Sequence, residues 1–337
     1  MKLNFIVYGA GAIGTTLAAY LHQTGLDYAL YARPKKALAI GQQAQSIIRD
    51  GQTVVDGVTL NVIDTLSQQT DATHIIITVK NYHLEQACKQ IKKSLPNDIT
   101  VVGLQNGVTN QTVLPRYFSK AIYGIAFYNV WQQQPGIWGH KDHGPLLLGR
   151  PNQGVDTEVQ QLATTLAKAL PCETSDQFQD EVHGKLISNL SNSVTTLIGN
   201  SHLQSDALKP LQKIFTALSY EGVKLLQAAG FRQAKHSTLP PWLLVRISSY
   251  LPDFILRPMF RKKIALIGST SMAQDIIDKG SKDSELDSIN GYLLELAEQT
   301  QVSTPMAKKI YQLCQQQFKQ EPFTAMTAQQ LWRQLQA

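Results

Sequence analysis

Short apolar runs alternate with stretches of helical periodicity in the first half of the chain, the pattern of βαβ units whose strands share a parallel sheet. It predicts strands at residues 4–8, 28–32, 74–79, 100–104 and 121–128. Between Pro135 and Gly149 the pattern changes to an antiparallel hairpin, residues 136–139 and 145–148, which is expected to close the sheet edge. After about Cys172 strand signals fade and apolar residues recur at helical spacing, as in Val182, Leu186, Leu190, Val194 and Leu197 and again in Leu286, Ile289, Leu293 and Leu296. Helix starts are marked by Ser284 before Glu285 and by Thr304 followed by Pro305. The expected architecture is α/β, with a parallel-sheet domain over residues 1–175 followed by a mostly helical domain over residues 176–337.

Composition narrows the class. The 337 residues, 43% hydrophobic and 17% charged, suffice for two ordinary cores. The three cysteines, Cys88, Cys172 and Cys314, form no CxxC pair, so neither a disulfide framework nor a thiolate metal site is expected, and a reducing cytoplasm fits. Phe5–Tyr8 runs straight into a glycine-rich turn and reads as a buried strand, not as a leader. The most lipophilic later stretch, Trp242 to Ile267, is interrupted by Arg246, Pro252, Asp253, Arg257, Pro258 and Arg261, and never reaches the roughly 20 apolar residues of a membrane span. A net charge of +6 favours anionic partners. The basic residues are nevertheless scattered apart from Arg33, Lys35 and Lys36 and the group Arg257, Arg261, Lys262 and Lys263, so a small anionic ligand is expected rather than nucleic acid or a membrane. A homodimer is the expected assembly, from the common occurrence of two-fold oligomers and the apolar residues of the Trp242 to Ile267 stretch.

The chemistry begins at GAGAIG, residues 9–14, directly after the first strand and at the head of a helical run. In that context it is the dinucleotide fingerprint of a Rossmann-type domain. Gly9 allows the tight turn, Gly11 lets the backbone approach a pyrophosphate, and Gly14 lets helix and strand pack closely, while Ala12 and Ile13 lie in the first helical turn, whose N–H groups face the phosphates. The second strand ends in Arg33, where an NAD enzyme would carry Asp or Glu. An arginine there either pairs with the 2′-phosphate of NADP or belongs to a solvated basic loop with Lys35 and Lys36. The missing carboxylate also argues against an S-adenosylmethionine methyltransferase. Lys80 and Asn106 follow the third and fourth strands at the edge where ligands bind in such sheets, although a strand-end lysine and an Asn-Gly turn are common in their own right.

In the helical half, Lys185, Asn189, Asn192, Ser193 and Thr196 share one helix face. A solvated face is normally built from better helix formers, so this one is either the lining of a polar pocket or a buried polar helix. Carbonyl reduction needs a proton donor for the oxygen on which charge develops, and Lys185 is the candidate general acid. Glu285 either orients that lysine or complements a helix dipole after Ser284. His140 and His143 fall in the expected hairpin turn without a third ligand, and no metal site is expected.

Together GAGAIG, Arg33, TVKN around Lys80, LQNG around Asn106, KLISN from Lys185, TSMAQDI at Ser271 and ELDSING at Glu285 resemble the ketopantoate reductase (2-dehydropantoate 2-reductase) family, in order across nearly the whole chain. The resemblance implies NADPH on the Rossmann domain, a helical domain closing over it, and reduction of 2-dehydropantoate to pantoate in the cleft between them. It places the general acid at Lys185 and its carboxylate partner at Glu285, with Lys80 and Asn106 at the nicotinamide end of the cofactor. On the substrate side it places Asn189 at the hydroxyl and Ser271 at the carboxylate. Ser193 stands where the family usually carries a second substrate-binding asparagine, and Gly268 replaces another. These departures, with the long stretch Thr238 to Lys263, keep open another branched 2-keto acid as substrate. A non-catalytic NADP-sensing protein is the alternative outside enzymology.

Overall fold

A computed structural model describes residues 3–67, 69, 71–199, 207–236, 240–252, 255–258, 260–261 and 270–336. The chain divides into two compact units, Met1–Gln179 and Asp180–Ala337.

The first unit is built on a sheet of strands β1 (Asn4–Tyr8), β2 (Asp27–Tyr31), β3 (Gln45–Arg49), β4 (Gln52–Val58), β5 (Val62–Ile63), β6 (His74–Ile77), β7 (Thr100–Gly103), β8 (Ile122–Gln134), β9 (Ile137–Gly149) and β10 (Cys172–Thr174). Its order is β4-β3-β9-β8-β7-β6-β1-β2-β5, with β10 pairing on β9. β1 pairs in parallel with β2 on one side and β6 on the other. Chain order therefore reverses at β1, and the crevice past the carboxyl ends of β1 and β6 is the place where such sheets bind ligands. The apolar run of β1 suits this central position, since Phe5, Ile6 and Val7 are fully buried. Helix α1 (Ala12–Gln23) follows β1, α2 (Pro34–Gly41) follows β2, α3 (Asn81–Ser94) follows β6, α4 (Thr109–Val113) follows β7 and α5 (Thr157–Leu166) follows β9.

The expected hairpin at residues 136–139 and 145–148 is not formed. Apart from Gly136, which lies in the turn between β8 and β9, both segments belong to the single strand β9, which pairs antiparallel with β8 over almost its whole length and lies inside the sheet, so the edge on this side falls to β4. His140 and His143 accordingly sit in a strand and not in a turn. The sequence reading also missed the β3–β4 hairpin, whose turn residues Asp50 and Gly51 have φ of 47° and 85°. Asp-Gly between strand-like runs is a recognised signal for such a turn.

The second unit is helical. Helices α6 (Phe178–Asn189), α7 (Ser191–Ile198) and α8 (Leu208–Ala228) are followed by helices Trp242–Ser248, Tyr292–Thr300, Pro305–Gln317 and Ala328–Gln336. Both predicted apolar stripes reach its core, with Leu186, Leu190, Val194, Leu197, Leu286, Ile289, Leu293 and Leu296 all buried there. The helix starting at Pro305 is capped from a distance: Thr304 makes no side-chain cap bond, and the Glu221 carboxylate accepts from the N–H groups of Met306 and Ala307, both at 2.9 Å. Two wider π-helical turns, Gln274–Asp278 and Asp287–Gly291, follow Ser271 and Glu285 closely.

Candidate active site

In the first unit the glycine turn has the form a dinucleotide phosphate requires. Gly9 has φ of +118°, and a Cβ there would lie 2.8 Å from Val79 Cγ1. A Cβ on Gly14 would fall 1.9 Å from the Gly9 carbonyl oxygen, so only glycine lets the helix approach the strand end this closely. A Cβ on Gly11 would meet nothing within 4 Å. The turn is therefore closed on the protein side at Gly9 and Gly14 and open at Gly11. Gly11 also starts α1 without a side-chain cap, and the first helical bond runs from Thr15 N to Gly11 O at 2.9 Å. The N–H groups of Ala12 and Ile13 thus precede the helical ladder, as an anion site demands. Thr78 braces the turn by donating its hydroxyl to the Gly9 carbonyl at 2.7 Å.

Arg33 is exposed at the cap position of α2, directly after β2 and followed by Pro34 at the first helical position. Behind it Tyr8 and Tyr31 stack at 4.6 Å and both hydroxyls bond the Gln90 side chain at 2.6 Å, so the ends of β1 and β2 are fixed together. Lys80 is half-buried at the cap position of α3. Asn106 is half-buried just past β7, and its carbonyl accepts from Asn81 Nδ2 at 2.7 Å. Gln105 ties the same two loops by donating to the carbonyls of Ile77 and Val79 at 2.8 and 3.1 Å. Thr78 and Gln105 were not singled out from sequence, because their work is to hold loops and their residue types are ordinary.

In the second unit Lys185 is half-buried on the third turn of α6, between the buried Glu181 and Ile187. Desolvation pushes its ammonium down to about 8, and the charge of Glu285 acts in the opposite direction. Glu285 is itself buried at 3% exposure and accepts from Ser271 Oγ at 3.5 Å. Ser271 opens a short helix whose cap, Thr270, accepts from Ala273 N at 3.3 Å. Three residues separated by up to 100 positions, Lys185, Ser271 and Glu285, thus meet within one unit.

The shared polar face expected for Lys185 to Thr196 is divided. α6 ends at Asn189 and α7 begins at Ser191, but Leu190 between them keeps helical φ of −58° and ψ of −28°, so it is burial that divides the face. Asn189 and Asn192 stay half-buried, whereas Ser193 and Thr196 have no exposed surface. Ser193 donates to the Leu190 carbonyl at 2.8 Å and accepts from Asn290 Nδ2 at 3.2 Å, and Thr196 donates to the Asn192 carbonyl at 2.7 Å. Of the two sequence readings for this face, pocket lining and buried polar helix, Ser193 and Thr196 fit the second. Gly268 lies outside the described residues.

A phosphate-cradling turn at the switch point of an α/β sheet, together with a desolvated lysine beside a carboxylate, is the equipment of a dinucleotide-dependent oxidoreductase. The sequence matches ketopantoate reductase PanE/ApbA over residues 5–153 and the C-terminal region of the same family over residues 177–318, and the chain belongs to that family of oxidoreductases. A 2-dehydropantoate 2-reductase of Pyrococcus horikoshii is 25% identical over 309 residues, covering 90% of this chain and 94% of its own. The fold is shared with the 2-dehydropantoate 2-reductase of Geobacter metallireducens, with a TM-score of 0.74 at 19% identity over 93% of this chain and 99% of that one. It is shared also with a D-mandelate dehydrogenase solved with NADH and anilino(oxo)acetate, with a TM-score of 0.71 at 20% identity over 93% and 97%. No helix among the described residues is long and apolar enough to cross a membrane.

Proposed function

We propose that this chain reduces 2-dehydropantoate to pantoate with NADPH, and that Lys185 is the general acid. The observation that carries this reading is the lysine itself, desolvated to a pKa of about 8 and opposed by the Glu285 charge. An ordinary lysine is too weak an acid to part readily with its proton near neutrality, whereas one titrating near 8 is charged at pH 7 and can still transfer it. The dinucleotide, when bound, supplies hydride to the ketone carbon. Lys185 then gives its proton to the ketone oxygen as charge develops there. Glu285 keeps the lysine charged and oriented. Ser271, already within reach of Glu285, donates to the substrate carboxylate, and Asn189 contacts the substrate hydroxyl.

The residues fit the cofactor. Gly9, Gly11 and Gly14 with the N–H groups of Ala12 and Ile13 would hold the pyrophosphate, and the opening at Gly11 is where it would lie. Arg33, exposed and without an acidic neighbour at the end of β2, would pair with a 2′-phosphate, which is the basis for preferring NADPH to NADH. Lys80 and Asn106, on loops stitched to each other through Asn81, would serve the nicotinamide end.

Ser193 is assigned to bracing α7 against Asn290, not to the substrate. With its hydroxyl turned inward, the chain lacks the second amide through which the family is expected to hold ketopantoate. A second reading, the same chemistry on another branched or bulkier 2-keto acid, draws support from this. The purified protein should oxidise NADPH, followed by absorbance, when 2-dehydropantoate is added. Turnover of other 2-keto acids but not of 2-dehydropantoate would transfer the assignment to the second reading, and no turnover on any of them would return the chain to the sensing class.

A further inference from the structure

Asn290 is buried in the helical unit at a cost to stability that packing does not explain. It lies in the wide turn Asp287–Gly291, five residues after Glu285, and is 1% exposed. Its neighbours Leu286 and Ile289 are held by apolar packing, which has no preferred direction. Asn290 instead donates through Nδ2 to Ser193 Oγ at 3.2 Å, while its Oδ1 is buried and finds no partner among the described residues. A buried acceptor left unpaired costs stability, and an apolar side chain of the same size would not carry that cost.

The bond joins the two segments that carry the proposed acid and its carboxylate. Ser193 stands on α7, and Leu190 keeps the chain helical between α6 and α7, so Ser193 is fixed about two turns beyond Lys185. Its own hydroxyl hydrogen is spent on the Leu190 carbonyl at 2.8 Å, which leaves a lone pair for the Asn290 amide. At the other end the Asn290 turn follows Glu285 directly, and Ile289 N bonds the Glu285 carbonyl at 3.1 Å. Movement of this turn is therefore movement of the carboxylate. Glu285 is the charge that acts on Lys185. On the lysine's own helix, Glu181 accepts from the N–H groups of Lys235 and His236, both at 3.1 Å, and pairs with the His236 ring, while the His183 ring lies 2.8 Å from the Tyr292 hydroxyl. Asp275, on the turn after Ser271, pairs with Lys279 at 2.8 Å.

We propose that Asn290 is a positioning residue: through Ser193 it holds the Glu285 segment in register with α6, so that the carboxylate stays where it supports the Lys185 ammonium. The inference rests on Lys185 and Glu285 being acid and partner in the proposed reaction. It also gives the serine at position 193 a reason. Both side chains are enclosed, and a second amide in place of the Ser193 hydroxyl would contend with Asn290 for the same space.

Asn290→Leu keeps the volume and removes the bond, and Ser193→Ala removes it from the other side. The acidity of Lys185 is read on the cofactor-free full chain, from the pH dependence of its acetylation by a pulse of acetic anhydride, quantified by mass spectrometry of the peptide that carries it. Each variant should lower the midpoint by about 0.5 to 1 pH unit, which leaves about two- to fivefold less ammonium at pH 8. The double variant should lower it no further than the larger single change, because the same bond is lost in each. Asn290→Leu should melt at or above the wild-type temperature, since the unpaired acceptor is gone, so lost stability would not account for the shift. A midpoint that neither variant lowers, or shifts that add in the double variant, would overturn the proposal, as would a fall in melting temperature with the midpoint unmoved. The labelling needs neither substrate nor turnover. Wild-type protein that oxidises NADPH with no keto acid would sink the proposed reaction and leave the labelling result standing, whereas turnover with an unmoved midpoint would sink the positioning role alone.

Discussion

Removing the carboxylate opposite Lys185 tests both its role and the cause of its acidity. Burial, partly offset by Glu285, moves the lysine from 10.5 to about 8, a net cost to the ammonium form of roughly 3.5 kcal/mol at about 1.4 kcal/mol per unit. A group titrating near 8 is about nine-tenths protonated at pH 7 and about one-tenth at pH 9, so with saturating cofactor kcat/KM for the ketone should fall roughly tenfold between them. A lysine at its ordinary value would hold the rate level across that range. Glu285→Gln removes the charge that raises the lysine and leaves the desolvation that lowers it, so the falling limb should move to lower pH, with the loss already evident at pH 7. Lys185→Arg keeps a cation that does not titrate here, and turnover should drop by about 10² to 10⁴ with no alkaline limb remaining. The assay is a steady-state pH profile of all three proteins. A wild-type rate that stays flat from pH 7 to 9, or a limb that Glu285→Gln leaves in place, would refute the reasoning.

The glycine turn separates folding from binding. Gly14→Ala places a methyl 1.9 Å from the Gly9 carbonyl and should lower the melting temperature markedly, whereas Gly11→Ala meets nothing within 4 Å and should melt as wild type while its KM for the dinucleotide rises. Arg33→Ala should raise the KM for NADPH by about 10- to 100-fold, the worth of a charge-assisted hydrogen bond, and leave NADH little affected; an equal loss with both cofactors would remove Arg33 from the 2′-phosphate. The buried His140 joins Tyr20 at 2.6 Å and Asp142 at 2.9 Å, and Asp142 in turn joins Arg49 at 2.7 Å. Burial holds His140 below its ordinary pKa of 6.5, so its contribution to stability is complete above about 6.5 and is lost as pH falls toward its lowered value. The melting temperature should therefore decline on acidification through that window, and His140→Gln should decline less; identical slopes would acquit the histidine.

β1 could be read from sequence at its full length because a strand buried on both faces is a bare apolar run, and GAGAIG is legible because its steric demands are local. β9 was broken in the reading at glycines that do other work. A Cβ on Gly139 would lie 2.3 Å from the Trp131 ring on β8, so this glycine makes room for an indole in mid-strand. Gly144, with φ of +155° against Phe127, sits where the β8–β9 register shifts. Neither marks a turn. In the helical unit the sequence identified Lys185, Glu285 and Ser271 individually, but only the fold brings them together. Whether Ser193 lined a pocket or lay buried was left open by the sequence, because a serine suits either place, and its bonds to the Leu190 carbonyl and Asn290 depend on how the helices pack.

The two π-helical turns make the site tolerant of segment length. In the first, Lys279 N bonds the Gln274 carbonyl five residues back at 3.1 Å, so each such turn holds one residue more than a regular helix would. Deleting a residue between Asp287 and Gly291 would let an ordinary turn replace the wide one, and the faces before and after it would stay in phase, with Leu293 and Leu296 still directed to the core. The same deletion within a regular helix would swing everything upstream by about 100°. A relative that aligns here with a one-residue gap is accordingly expected to keep its carboxylate on the face that Glu285 occupies.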